Sequence, residues 1–228
     1  MPAPIFVPMT TAPYRLSGTV YGTLLNHRSA LAALGSKVTE APYKGAPKAP
    51  ILYVKPRNTL TTHESEVMVP DDVAQLEIGG CLGIVIGRPA CKLSPHTASA
   101  AVAGYLIVND ISVPHSSFHR PSARFKARDG FCPLGPQVVS RDDIANPNAL
   151  NIRIYVDGAL KQQATTAQLV RPVETLLSDV TEFMTLSPGD VLAVGVAWPV
   201  PLAGAGQRVA IEIDGLGRLE NRLVSHLS

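Results

Sequence analysis

Residues 120 to 136 read Arg-Pro-Ser-Ala-Arg-Phe-Lys-Ala-Arg-Asp-Gly-Phe-Cys-Pro-Leu-Gly-Pro, so Arg120, Arg124, Lys126 and Arg128 place four cations in nine positions. Guanidinium forks grip carboxylates through paired hydrogen bonds, and an ammonium is a point charge that can hold an enolate oxygen as it forms. From composition alone a solvated basic loop is the preferred reading of the same run. A second basic group, Lys55-Pro56-Arg57-Asn58-Thr59, follows the short apolar run Ile51 to Val54, where residues leaving a buried strand either line a pocket or form an ordinary exposed loop. Asn109-Asp110 ends the apolar run Tyr105 to Val108. There the Asp110 carboxylate can bind a cation, orient Lys126, or simply form a turn with its own backbone.

Other reactive residues carry weaker signals. His115 and His119 are four apart, but no Glu follows His115 as in H-E-x-x-H, and Pro114 points to a turn rather than a metal-binding helix. Cys81, Cys91 and Cys132 form no C-x-x-C pair and cannot all be matched in disulfides, which fits buried or half-buried thiols in a reducing compartment. For Cys132 as a nucleophile the only support is nearby Lys126, and a structural thiol is the preferred reading.

These groups must be held by short strands divided by Gly, Pro, Asn and Asp. Ile51 to Val54 and Leu82 to Ile86 read as buried strands. Ile152, Ile154 and Val156 alternate with Arg153 and Tyr155 before Asp157-Gly158, and Val209, Ile211 and Ile213 share a face before Asp214-Gly215, which predicts two hairpins. Val173, Leu176, Leu177, Val180, Phe183 and Met184 form one apolar helical stripe, opened by Pro172 and closed by Pro188-Gly189. A shorter helix is predicted from the cap Ser94 and Pro95 through Ala98 to Ala103, with Gly104 as its left-handed exit. The class is mainly β, α+β, with a few covering helices.

The chain has 228 residues, 46% hydrophobic and 17% charged, so a packed globule is expected. Residues 1–14 read as an extended amino-terminal arm and 15–228 as one domain. The net charge of +2 comes without any run of five basic residues, which argues against nucleic acid or an anionic membrane as partner and for small anions. No apolar run approaches the roughly 20 residues that cross a bilayer, and the first residues lack a signal-peptide pattern, so the cytoplasm is the expected location.

Six segments in order resemble the fumarylacetoacetate hydrolase family: Lys55 to Thr59, Gly104 to Ser112, Lys126 to Pro136, Val156-Asp157-Gly158 with Gln162 to Thr166, Leu186 to Asp190, and Gly215 to Asn221. Leu25 to Ser29, Ala41 to Lys44 and Arg120 to Pro133 are similar to the amino-terminal half of its bifunctional isomerase/decarboxylases. The resemblance implies a mixed β-sandwich roll. It implies decarboxylation of 5-oxopent-3-ene-1,2,5-tricarboxylate and isomerisation of 2-hydroxyhepta-2,4-diene-1,7-dioate. On it, Lys126 and Asp110 become the candidate catalytic residues, with Arg120, Arg128, Lys55, Arg57, Gln163 and Thr166 as candidate contacts to a polycarboxylate. Mg2+ is the implied cofactor, held in the family by a Glu-x-Glu pair and the Asp of Asn-Asp. Here Gly79 and Cys81 occupy the two Glu positions, and Asp110 alone cannot supply the oxygens such an ion demands. Glu77 would reach the site only by a two-residue slip of its strand. The family's Asn-Tyr-x-x-His reads Asn26-His27-Arg28-Ser29-Ala30, and its Gly-Thr-Pro reads Gly195-Val196-Ala197, so metal-assisted hydrolysis of the acylpyruvate type is not expected. What remains is a homodimer, or a heteromer with a metal-binding paralogue, in which this chain is either catalytic or a noncatalytic structural partner.

Overall fold

The computed structural model describes residues 18–41, 44–115 and 123–225. The expected arm, together with His119 and Arg120, lies outside the described residues.

The described chain opens with β1 (Val20–Leu24), a short helix α1 (Arg28–Ala32) and β2 (Ile51–Lys55). β3 (Leu60–Thr62), β4 (Glu66–Val69), β5 (Leu76–Glu77) and β6 (Gly80–Ile86) follow. Helix α2 (Pro95–Ala98) leads into β7 (Val102–Asn109), and a single helical turn, α3 (Ala123–Lys126), precedes β8 (Cys132–Ser140). The rest comprises the hairpin β9 (Asn151–Val156) and β10 (Ala159–Thr165), helix α4 (Val173–Phe183), β11 (Val191–Ala193), β12 (Leu202–Ala203), and the hairpin β13 (Arg208–Ile213) and β14 (Gly217–Ser225).

Seven strands form a sheet in the order β2-β1-β11-β6-β7-β8-β3, five form a second in the order β10-β9-β13-β14-β4, and β12 pairs with β5. β6 is buried on both faces, which explains why its sequence is an unbroken apolar run rather than an alternating one. Leu82, Ile84 and Ile86 share one buried cluster with Ile154 and Ile211 of the second sheet and Leu176, Leu177 and Val180 of α4. On the opposite side Cys81 and Val85 pack with Val20, Leu106, Val108, Cys132, Leu134 and Val191. All of these come from one sheet, so that sheet curls to enclose its own inner face, and the architecture is a mixed α+β roll.

The hairpin expected at Asp157-Gly158 is present, with both residues at positive φ (49° and 79°) and Val156 paired to Ala159, as a two-residue turn with matching twist requires. Other expectations are corrected. Gly104 is not a helix exit: the helical stretch ends at Ala101, and Gly104 sits inside β7 between Val85 and Ser140. A side chain there would collide with the Val139 carbonyl, so the glycine permits close strand approach. Phe183 is 64% exposed rather than part of the buried stripe, because α4 ends there and Met184 is already extended; Pro188-Gly189 belongs to a later turn. The strand at Ile51 to Val54 is an edge, with Val54 49% exposed, and Cys91 is exposed. Among the described residues no helix is long and apolar enough to cross a membrane.

Gly104→Ala is expected to destabilise the protein by about 1–3 kcal/mol, the usual range for overpacking, whereas Phe183→Ser should stay within about 0.5 kcal/mol. Urea denaturation midpoints of the two variants compare them directly.

Candidate active site

Alternation along β2 puts Tyr53 and Lys55 on one face, and both reach Asp110, which leaves the end of β7. Asp110 is fixed by its own backbone, whose N–H donates to the Gly79 carbonyl at 2.9 Å. Lys55 Nζ lies 2.7 Å from Asp110 Oδ1, and Lys126 Nζ, from the last residue of α3, lies 2.8 Å from Oδ2. The Tyr53 hydroxyl also donates to Oδ2, and the Lys126 ammonium stands 5.1 Å from the centroid of the Tyr53 ring, within cation–π range. All three charged residues are buried.

Lys55 donates to the carbonyls of Ile111 (2.9 Å), Lys126 (3.0 Å) and Phe131 (2.9 Å). An ammonium has three protons and three carbonyls take them, so its approach to Asp110 Oδ1 is a charge contact rather than a fourth aligned hydrogen bond. Lys55 therefore ties the Lys126–Phe131 loop to the end of β7. The sequence offers it as an anchor for a substrate carboxylate; in the structure its three donors go to carbonyls inside the protein.

Burial alone would raise the Asp110 carboxyl, but the Lys126 and Lys55 ammoniums overcome it and hold the group well below the usual carboxylate range. Burial, then Asp110, raises the Tyr53 hydroxyl far above its ordinary value, so it remains a donor. Burial likewise pushes the Cys132 thiol up to about 12, and the Cys81 thiol higher still, which makes both inert.

Beside this cluster opens a cavity of about 110 Å³. Tyr53, Glu77, Asp110, His115 and Lys126 form its polar end, and Leu24, Leu25, Ala33, Leu34 and Trp198 contribute apolar wall. Ala30, Val196 and Ala197, the altered family positions, line it too, so apolar wall stands where the resemblance implies hydrolytic groups. Asn26 holds the chain beside the left-handed Leu25: its Nδ2 donates to the Val194 carbonyl at 2.9 Å, and its Oδ1 accepts from the Arg171 N–H at 2.9 Å. His27 caps α1 through Ser29 N–H, and Ser29 Oγ accepts from Trp198 N–H at 2.8 Å, which joins two walls of the cavity.

Several predicted contacts do not reach this space. Arg57 is exposed in a 3-10 turn. Arg128 pairs with Asp72 at 3.3 Å and donates to the Arg124 carbonyl. Gln163 is exposed on β10; a register shift between Leu160 and Gln162 leaves Gln162 as the residue that donates to the Ala197 and Pro199 carbonyls. Thr166 is buried, and its hydroxyl accepts from Leu150 N–H at 2.9 Å. None of the four lines this cavity. Sequence reasoning missed Tyr53, whose two-residue spacing from Lys55 was the available signal, and the cavity position of Glu77, which shares strand parity with Gly79.

The residues present do not fit a divalent ion. Both Asp110 oxygens already face ammonium groups. A side chain at Gly79 would collide with the Asp110 backbone carbonyl, and Cys81 is a fully buried neutral thiol. Among the described residues no group of three His, Cys, Asp or Glu side chains is arranged to hold a metal.

Asp110→Asn leaves two buried ammoniums without a counter-charge, and urea denaturation at pH 7 is expected to show a loss of about 3–5 kcal/mol. Because the folded Asp110 value is depressed, its stabilisation is complete above the unfolded value of about 3.9 and drains only as pH falls further. Glu77 behaves oppositely. Burial, partly offset by Lys126, pushes it up to about 7, so stability is highest below its unfolded value of about 4.3 and declines as pH rises toward about 7. Glu77→Gln should flatten stability against pH in that window.

A family model described as "Fumarylacetoacetate (FAA) hydrolase C-terminal" matches residues 19–224. The 4-hydroxyphenylacetate degradation bifunctional isomerase/decarboxylase of Salmonella dublin is 36% identical over 94% of this chain and 48% of its own length. The crystal structure of 5-carboxymethyl-2-hydroxymuconate delta-isomerase from Mycobacterium smegmatis is 29% identical over 92% of this chain and 80% of that one, with a TM-score of 0.79. Maleylpyruvate hydrolase from Sphingobium sp. SYK-6, solved with manganese(II) and pyruvate, is 25% identical over 92% of this chain and 71% of that one, with a TM-score of 0.75. The chain spans about half the length of the first of these, the curated relative. By match, fold and residue pattern together, it belongs to the fumarylacetoacetate hydrolase family.

Proposed function

We propose that the chain is a cytoplasmic subunit of an isomerase/decarboxylase of aromatic (4-hydroxyphenylacetate) catabolism, and that its own cavity isomerises 2-hydroxyhepta-2,4-diene-1,7-dioate without a metal. Decarboxylation of 5-oxopent-3-ene-1,2,5-tricarboxylate belongs, on this reading, to a metal-binding paralogue with which it assembles as a heteromer. The observation that carries the reading is the cavity itself, where the Lys126 ammonium and the Glu77 carboxyl face one small, apolar-walled space.

Moving a double bond in a dienol needs a cation to hold a carboxylate or developing oxyanion and a group that passes a proton between atoms. Lys126, at the polar end of the cavity, is the cation placed to meet a substrate carboxylate, while Lys55 faces the other Asp110 oxygen. The apolar walls suit the hydrocarbon chain between the carboxyls. Three free thiols are compatible with the reducing cytosol.

A second reading, a noncatalytic partner that buttresses the paralogue, is favoured by one observation: among the described residues, Lys126 is the one Lys or Arg that lines the cavity. The purified chain, alone and with the paralogue, is to be assayed by the ultraviolet absorbance of the dienol. The isomerase reading expects turnover by the chain alone, reduced about 100-fold or more by Lys126→Met, the effect of losing one oriented donor to a developing oxyanion. A chain that is silent alone, yet supports the paralogue equally well with Lys126→Met, would establish the structural reading instead.

A further inference from the structure

The cavity holds four groups besides Lys126 able to take or give a proton, and their surroundings differ. Asp110 has both oxygens facing ammoniums, and Tyr53 donates its hydroxyl to Asp110. His115 stacks on Phe125 with ring centroids 4.7 Å apart, and its Nδ1 lies 2.9 Å from the Val113 carbonyl, which makes Nδ1 the protonated nitrogen. Glu77 is held by its backbone alone. Its N–H donates to the Ser112 carbonyl at 2.8 Å, its carbonyl accepts from Ser112 N–H at 3.2 Å, and it pairs with Leu202 across β12. Among the described residues its carboxylate makes no ion pair, so a fixed backbone presents an uncommitted carboxyl to the cavity.

Resting on the isomerase reading, we infer that Glu77 is the catalytic residue that carries the migrating proton, acting on the conjugated enol of a 2-oxo dicarboxylic acid whose carboxylate sits against Lys126. The enol O–H bond breaks as the 2-oxo C=O bond forms, the double bonds shift, and a C–H bond forms at the distal diene carbon. Glu77 gives its proton to that carbon and recovers the one from the enol oxygen. It is therefore unchanged after each turnover, with no oxidant or co-reactant needed. The raised Glu77 value of about 7 keeps both its protonation states populated near neutrality.

The test follows 2-hydroxyhepta-2,4-diene-1,7-dioate in D2O, with deuterium at the new methylene read by NMR and binding of the saturated heptanedioate read by calorimetry. The unaltered chain is expected to place deuterium at that carbon. Glu77→Gln should slow this by about 100-fold or more while binding heptanedioate as before, and Glu77→Asp should recover part of the rate. Unchanged turnover in Glu77→Gln, or the full loss appearing in His115→Asn instead, would overturn the assignment and leave the isomerase reading standing. Inactivity of the unaltered chain would remove that reading and this inference with it.

Discussion

A carboxylate taken out of water must be met by positive charge, and the end of β7 in this protein is organised around that requirement. Asp110 is 3% exposed, with Lys55 at one oxygen and Lys126 at the other. Each ammonium also serves a second purpose. Lys55 gathers three backbone carbonyls from two loop segments, and Lys126 projects from α3 to the edge of the cavity. The placement of β2, the loop before β8 and the polar end of the cavity all follow from one buried charge being neutralised from two sides. Removing either ammonium would leave Asp110 only half compensated in a low-dielectric setting.

The same arrangement accounts for how a family fold can persist without its usual donor set. The maleylpyruvate hydrolase of similar fold was solved with manganese(II); here two ammoniums meet the one carboxylate that the resemblance assigns to such an ion. The neighbouring positions are changed in a mutually consistent way. Gly79 gives way to the Asp110 backbone, Cys81 joins the apolar interior of the curled sheet, and Ala30, Val196 and Ala197 make the cavity wall apolar. A hydrolytic water would find no partner on those three side chains, whereas a hydrocarbon chain would pack against them.

Much of the framework was legible in the sequence because it rests on local rules. The unbroken apolar run of β6, the alternation in β9 and β13, and Asp157-Gly158 each express a period or a backbone preference that neighbouring residues decide. The stripe of α4 is legible through Val180 but its end at Phe183 is not, because the end of a helix depends on what the next segment packs against. Gly104 was misplaced for a related reason: its constraint comes from the Val139 carbonyl, a contact distant in sequence. At the site, Asp110 and Lys126 could be paired on chemistry alone. The internal role of Lys55 could not, since its three carbonyl partners become neighbours only when β2, β7 and the loop before β8 come together. Nor could the surroundings of Gln163 and Thr166, one placed by a bulge that no residue pattern marks and the other accepting from a backbone N–H.

In this structure ammonium groups, not a divalent ion, neutralise Asp110. Thermal unfolding of the chain as Mg2+ or Mn2+ is titrated to millimolar concentration measures this directly, because a ligand that binds only the folded state must raise the midpoint. The charge-clamp account predicts a midpoint that does not move. A saturating, one-to-one rise in the midpoint that disappears in Asp110→Asn would contradict it.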